Sequence, residues 1–428
     1  MTAIAVPDLS RKHHDLNLPT SLPNQSSHNA GPQAETRLRL GIISGTTAYR
    51  SPAGEIWINH SIGRLCEALR DRFPGCRICL PIVPHHLPNL NHVLNFPADD
   101  VTALPPLATT IKAQRYIRST RDVLRKFADD VDLLFIRLPF QIPRTLLGLS
   151  KPKLLHVVSN PLEVVRASKD YAGPMKWLAR AFAAHSNRVM QRLAAEPNTR
   201  LCTNGGEMWR LLKGRAGRVV VSSCLMTSEI RPKENFQLHN PPRLLFVGYL
   251  RPEKGVGILL DAFNNLRAQR PLKLSLVGGS DRVTKEEAEI RSRVASSPYA
   301  ADISVVGMLP FGKELFEQYR THDILIQPSF SEGTPRTLVE ARAFGCPVIA
   351  SRVGGIPSAV ADGRDGLLVT PNDSAQLVAA ISKLLDSAEL RAALIEAGLK
   401  RTPEFTLDYF ADALASELAS LPSSNHMV

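Results

Sequence analysis

The chain is predicted to be an α/β protein of two Rossmann-like domains, each a parallel sheet with helices on its faces. Three observations predict it. Its 428 residues exceed what one ordinary core holds and suit two domains. Strand patterns alternate with helix patterns along the second half, the signature of parallel sheets. Finally, one stretch, Gln327 to Gly355, reads as a strand, a polar loop, a helix and a second strand.

That stretch opens with the apolar run Asp323–Gln327, which ends at Pro328. The loop carries Glu332, Gly333 and Thr334, Pro335 suits the first helical turn, and Gly345 ends the helix before a strand over Cys346–Ser351. Ligands of open α/β sheets bind at the carboxyl ends of strands, so this loop is the candidate mouth. Glu332 and Glu340 flank the amides of Gly333, Thr334, Arg336 and Thr337 at the positive end of the helix. A diphosphate suits such amides, and hydroxyls suit the two carboxylates. The ligand this suggests carries phosphates in the middle and hydroxyls at both ends, a description that a nucleotide-sugar fits.

Taken in order, residues 1–36 are rich in Pro, Asn, Ser and His, without an apolar core, and read as a disordered tail. The first domain spans 37–230. Its first strand is expected at 37–43, followed by the loop SGTTAYRSPAGE and a helix from Ile56 to Phe73. Further strands are expected at Arg77–Val83, Leu133–Leu138, Lys153–Ser159, Arg200–Thr203 and Val219–Ser222, with an irregular loop from Pro84 to Pro106. A linker at 231–242 leads into the second domain, 243–402. There, strands at Arg243–Gly248, Leu272–Val277 and Ile303–Val306 precede the stretch already described, and a last helix occupies 403–420.

Hydrophobic residues make up 44% and no apolar run reaches eighteen, so no membrane-spanning helix is expected. The six cysteines are scattered and suit buried, reduced thiols. Cys76-x-x-Cys79 with His85-His86 lacks a second clear ligand pair, and Asp130-x-Asp132 reads as a solvated turn, so no metal site is assigned.

The net charge of +12 is uneven: residues 36–240 carry 30 Lys and Arg against 15 Asp and Glu, whereas 241–428 carry 20 against 22. The basicity therefore belongs to the first domain and to one partner of that domain. Two helices there are unusually basic. Ile111–Phe127 spreads Arg115, Arg118, Arg121, Arg125 and Lys126 around Tyr116, Val123 and Phe127. Met175–Leu193 sets the stripe Met175, Leu178, Phe182, Val189 and Leu193 opposite Lys176, Arg180, Arg188 and Arg192. Packing on the sheet explains the stripes; attraction to an anionic membrane surface explains the charge. No aromatic-interleaved basic motif argues for nucleic acid.

The Glu-x7-Glu arrangement within SEGTPRTLVEARAFGCPVIAS resembles the signature of the retaining family-four glycosyltransferases of the GT-B fold. FVGYLRPEKGV (246–256), LSLVGGSD (274–281), the VVG of 305–307 and GGIPSAVADGRDGLLVTPND (354–373) are similar in order and spacing. The resemblance implies two domains facing a cleft and a C-terminal helix crossing back to the first. It implies transfer of a sugar from a nucleotide-sugar, with retention and without a metal or other cofactor.

By the same resemblance, Glu332 orients the sugar, with the amides of Gly333 and Thr334 beside it, and Glu340 holds the ribose. Lys254 and the amides around Arg336 and Thr337 serve the diphosphate, the Arg336 side chain is open to the diphosphate, to a carboxylated sugar or to pairing with Glu332, and Gly248 and Gly54 approach the donor. The resemblance places Tyr249 where the family has arginine, and Arg251 is the candidate replacement. Ser159 occupies the acceptor-side position where a histidine is usual, His156 lying three residues earlier. The implied acceptor is lipid-linked or a polysaccharide, at the cytoplasmic face of the membrane, in exopolysaccharide or cell-envelope glycan synthesis. A small sugar phosphate acceptor and an inactive GT-B binding protein are the alternatives.

Overall fold

The computed structural model describes residues 38–107, 110–167, 173–214, 216–279 and 283–422. The expected tail, 1–36, lies outside the described residues. The first sheet has ten strands: β1 Leu40–Ser44, β2 Ala48–Arg50, β3 Ile56–Ile58, β4 Arg77–Val83, β5 His92–Val93, β6 Val101–Leu104, β7 Leu133–Leu138, β8 Lys153–Val157, β9 Thr199–Asn204 and β10 Gly217–Val220. Its main path is parallel, in the order β10-β9-β8-β7-β1-β4, with β6 also beside β4. The second sheet is wholly parallel: β11 Arg243–Val247, β12 Lys273–Val277, β13 Ile303–Gly307, β14 Ile324–Gln327, β15 Val348–Ser351 and β16 Leu367–Val369, in the order β13-β12-β11-β14-β15-β16.

Both sheets are apolar on both faces because helices cover both, as the continuous runs Leu-Leu-Phe-Ile of β7 and Ile-Leu-Ile of β14 require. Alternate residues of β7 serve different cores. Leu133 and Phe135 pack with the last helix, Leu407–Ala419, whereas Leu134, Ile136 and Leu138 pack with Val189, Met190 and Leu193 of the helix Gly173–Ala195.

The helix Leu407–Ala419 follows the second sheet yet seals the first. Leu407, Phe410, Leu414 and Leu418 are fully buried there, and Glu417 accepts from Arg200 Nε on β9 at 2.5 Å and Arg218 Nε on β10 at 2.8 Å. Its start is fixed by Thr406, whose hydroxyl accepts from the Tyr409 amide, and by Leu407 N donating to Leu225 O at 2.7 Å. This is the crossing-back helix, and the architecture is the expected GT-B one.

Two segments differ from expectation. The stretch after β1 is a β-hairpin, β2 antiparallel to β3, and the helix begins only at His60 and runs to Arg72. Alternation in Ala48-Tyr49-Arg50 and Ile56-Trp57-Ile58 favours strands, and Ser51 to Glu55 closes the turn with Gly54 at φ +86°. Gly54 is therefore a turn residue of an exposed hairpin, with no contact within 4 Å of where its Cβ would be. The region Pro84–Pro106 is not irregular throughout: β5 and β6 lie in it, β6 pairing with β4 through Val101 and Leu104.

Cys76 and Cys79 are buried in the core, whereas His85 and His86 are exposed. Asp130 pairs with Arg77 and Asp132 with Arg39. Among the described residues no helix is long and apolar enough to cross a membrane.

Candidate functional site

In the second sheet, β11 connects to β12 on one side and the chain later returns to β14 on the other. The carboxyl ends of β11 and β14 are thus a topological switch point, where a crevice opens. Two loops meet there, one leaving β11 through Gly248–Gly255 and one leaving β14 through Pro328–Pro335. Phe330 N donates to Glu253 O at 2.8 Å, and Gly255, at φ +70°, lies where a Cβ would come within 1.9 Å of Pro328 O. Only glycine allows this approach.

The contact presents Lys254 to Glu332. Lys254 Nζ lies 2.7 Å from Glu332 Oε1, and the same oxygen accepts from Ser329 Oγ at 2.9 Å and Gln327 Nε2 at 3.2 Å. The Glu332 side chain is 8% exposed and that of Lys254 20%. Charge-assisted hydrogen bonds of this kind are about twice as strong as neutral ones, so the carboxylate is held in one orientation. Gly354, at φ +53°, and Gly355 support the loop from behind. A Cβ on Gly354 would sit 1.8 Å from Glu332 O, and Gly355 N donates to Gly333 O at 2.7 Å.

A cavity of about 460 Å³ opens over this pair. Lys254, Arg251, Tyr249, Glu332 and Gly333 bound it from the second sheet; Ser159 and Asn160, beyond β8, and Asn204 and Gly205, at the end of β9, bound it from the first. Arg251 stands half-exposed, its guanidinium 4.9 Å from the centroid of the Tyr249 ring and 4.0 Å from Glu253 Oε1. Arginine over an aromatic face is favourable and keeps the cation beside the crevice. Ser159 is half-buried just past β8.

His156 is elsewhere. It is 1% exposed within β8, packed between Phe135 and Phe410, with Nε2 3.2 Å from Asn204 Oδ1. Burial, with Arg137 nearby, lowers its pKa to about 3.

The helix Arg336–Ala343 follows the β14 loop with Pro335 preceding it. Arg336 Nη1 is 2.6 Å from Cys224 Sγ, so this cation reaches toward the segment joining the sheets and does not pair with Glu332. Burial raises the Cys224 pKa, so the sulfur stands as a neutral thiol. Thr337 Oγ1 donates to Gln327 Oε1 at 3.3 Å, and Thr334 Oγ1 is buried with no partner among the described residues.

Glu340 is 4% exposed, and its Oε2 accepts from Tyr319 OH at 2.7 Å. Burial raises its pKa, opposed by Arg336 and by the Tyr319 hydrogen bond. It is a buried acceptor beneath the helix start, outside the residues that bound the crevice. Gly248, at the end of β11, donates its N–H to Val277 O at 2.9 Å, and Gly278 packs against its carbonyl.

The structure thus gathers Lys254, Arg251, Glu332, Gly333 and Ser159 around one crevice and leaves Gly54 in the hairpin turn. Sequence reading passed over Gln327 and Ser329, which fix Glu332, and over Gly45 at the end of β1. Gly45 O accepts from Gln141 Nε2 at 2.8 Å at the first sheet's switch point between β1 and β7. The signal for Gly45 was its place right after the first strand.

Residues 227–401 match the family described as glycosyl transferases group 1. Among curated proteins, the D-inositol 3-phosphate glycosyltransferase of Stackebrandtia nassauensis is 34% identical over 174 residues, covering 40% of this chain and 39% of the relative. The D-inositol 3-phosphate glycosyltransferase 2 of Catenulispora acidiphila is 36% identical over 178 residues, covering 40% and 42%. The chain spans about two fifths of the length of these curated relatives. Among solved structures, the sucrose-phosphate synthase of Thermosynechococcus elongatus superposes with a TM-score of 0.64 at 20% identity, over 89% of this chain and 98% of that one. HepE of Anabaena in complex with UDP gives 0.61 at 15% identity, over 90% and 100%.

Proposed function

We infer, for a chain whose residues 227–401 match glycosyl transferases group 1 and which has the GT-B fold, that it moves a sugar from a nucleotide-sugar to an acceptor hydroxyl. The observation that carries this reading is the Lys254–Glu332 pair at the switch-point crevice, with the ends of β8 and β9 facing it. A cation beside a carboxylate suits a ligand that brings anionic phosphates next to hydroxyls. The UDP complex of the structurally similar HepE supports a uridine diphosphate donor.

In the proposed reaction the bond from the anomeric carbon to the diphosphate oxygen breaks and that oxygen keeps the electron pair. The acceptor oxygen attacks on the same face, and its proton passes to the leaving diphosphate. Configuration is retained and no metal takes part. The chain's share is electrostatic: Lys254, with Arg251 beside it, stabilises the charge that develops on the diphosphate, and the first-turn amides of Arg336 and Thr337 add theirs. Glu332, with the Gly333 amide beside it, orients the sugar hydroxyls. Glu340 takes the ribose hydroxyls if Tyr319 yields its oxygen on closure. Gly248 lets the β11 loop approach the donor, and Ser159 faces the acceptor.

The acceptor is a lipid-linked or polysaccharide chain at the inner face of the cell membrane, to which the basic first half draws the protein. A soluble sugar phosphate is the second reading, favoured by the names of the inositol 3-phosphate relatives. Proton NMR of donor turnover tests the chemistry: UDP-sugars and GDP-sugars are incubated with the protein, with and without a chelator. An initial product with the donor's anomeric configuration, formed equally with chelator, supports the reading; inversion or metal dependence overturns it.

A further inference from the structure

A second and larger cavity, about 840 Å³, lies wholly on the first sheet's side. It is walled by the segment after β7 (Phe140, Ile142), by the helix Pro161–Ala167 (Val164) and by the helix Gly173–Ala195 (Met175, Leu178, Phe182). The stripe expected to pack on the sheet does so only in its second half. Val189 and Leu193 are buried, whereas Met175 is 51% and Leu178 37% exposed.

Trp177 beside them is 73% exposed, and Val164 across the groove is 58% exposed. Three exposed large apolar side chains lining one groove, Val164, Met175 and Leu178, mark a binding surface, and Trp177 is exposed on the same helix as the latter two. Ser159 and Val164 border both this groove and the crevice over Lys254, so the two are continuous. Arg144 lies in the groove wall, and Lys176 and Arg180 ride on the same helix.

We propose that this groove holds the hydrocarbon chain of the acceptor, a phosphate-bearing lipid whose head reaches the crevice at Ser159. The inference rests on the transferase reading above and names its acceptor class. Apolar walls receive the chain, Trp177 on the rim helix lies at the water–hydrocarbon boundary where its ring is stable, and Arg144 in the wall supplies positive charge for the phosphate. A soluble sugar phosphate has no use for the apolar walls.

The test uses the full chain with Trp57→Phe and Trp209→Phe, so that Trp177 alone fluoresces. Dodecyl phosphate below its micellar concentration, inorganic phosphate, and phosphatidylglycerol vesicles with brominated acyl chains are titrated in turn. UDP affinity is measured on the same samples. The expected result is a saturable blue shift with dodecyl phosphate, quenching by the brominated vesicles, and no response to inorganic phosphate. Met175→Glu and Leu178→Glu each weaken dodecyl phosphate binding about tenfold, the cost of roughly 1.4 kcal/mol of lost apolar contact. Both leave UDP affinity unchanged.

Absence of dodecyl phosphate binding, or equal binding by the variants, overturns the proposal while UDP binding leaves the donor reading intact. A dimer that Trp177→Glu converts to monomer also overturns it, a second copy then covering the groove. Lipid binding without nucleotide binding keeps the groove and removes the transferase reading.

Discussion

Lys254 Nζ lies 2.7 Å from Glu332 Oε1, so a helical turn after β11 and the loop after β14 are joined by one charge-assisted contact at the switch point. Replacing Lys254 with methionine removes the cation and leaves Glu332 its two neutral donors, Ser329 and Gln327. A hydrogen bond to a charged group contributes about 1.5–3 kcal/mol, so donor turnover should fall roughly 10- to 150-fold. Steady-state kinetics of donor hydrolysis measures this. Lys254→Arg should recover part of the loss, because it restores charge with a different shape.

Gly354→Ala tests how the Glu332 loop is held. The added Cβ would meet Glu332 O at 1.8 Å, in a backbone conformation that alanine adopts poorly. The loop must shift, and displacement of a positioned group by about 1 Å costs on the order of 100-fold in rate. The expected outcome is loss of turnover with an unchanged circular dichroism spectrum and a melting temperature lowered by a few degrees.

Glu417→Ala addresses the crossing helix. The carboxylate side chain is 5% exposed and receives Arg200 and Arg218, which are themselves 30% and 39% exposed. Full burial of a broken pair costs about 3–5 kcal/mol; because both arginines reach water, about 2 kcal/mol is expected. Thermal unfolding followed by calorimetry should show a lower melting temperature, and Glu417→Gln should lie between.

Acid should destabilise the fold through buried histidines. Burial lowers the pKa of His156 to about 3 and that of His322 to about 4, against about 6.5 unfolded. Between pH 6.5 and about 4 the unfolded chain therefore binds more protons than the folded one. Stability is complete above pH 6.5 and falls as pH drops, by up to about 1.4 kcal/mol per pH unit for each histidine. Urea unfolding at pH 7 and pH 5 measures the slope. His156→Phe, which keeps the packing with Phe135 and Phe410, should reduce that slope whatever it does to stability at pH 7.

Much of the second sheet was legible because strands buried on both faces read as unbroken apolar runs and the helices between them begin and end at Pro and Gly. The β14 loop with Glu332, Gly333 and Pro335 shows this best. The hairpin β2–β3 was missed because three-residue strands give too few alternations to outweigh the helix pattern that follows. Gly54 thereby lies in a hairpin turn where a strand-to-helix loop was expected. Burial of Glu340 and the reach of Arg336 to Cys224 depend on which segments meet in space, and spacing along the chain does not carry that information. Likewise the apolar stripe of the helix Gly173–Ala195 was visible, but the point where its partner ends was not.

Isothermal titration of the full chain with UDP and GDP tests the central claim most directly, with Lys254→Ala and Glu332→Gln alongside. The account predicts micromolar binding of one of the two nucleotides, weakened about tenfold or more by Lys254→Ala and little by Glu332→Gln, whose partner is the sugar. A folded protein that binds neither nucleotide, or that binds equally well without Lys254, would contradict a donor site at this crevice.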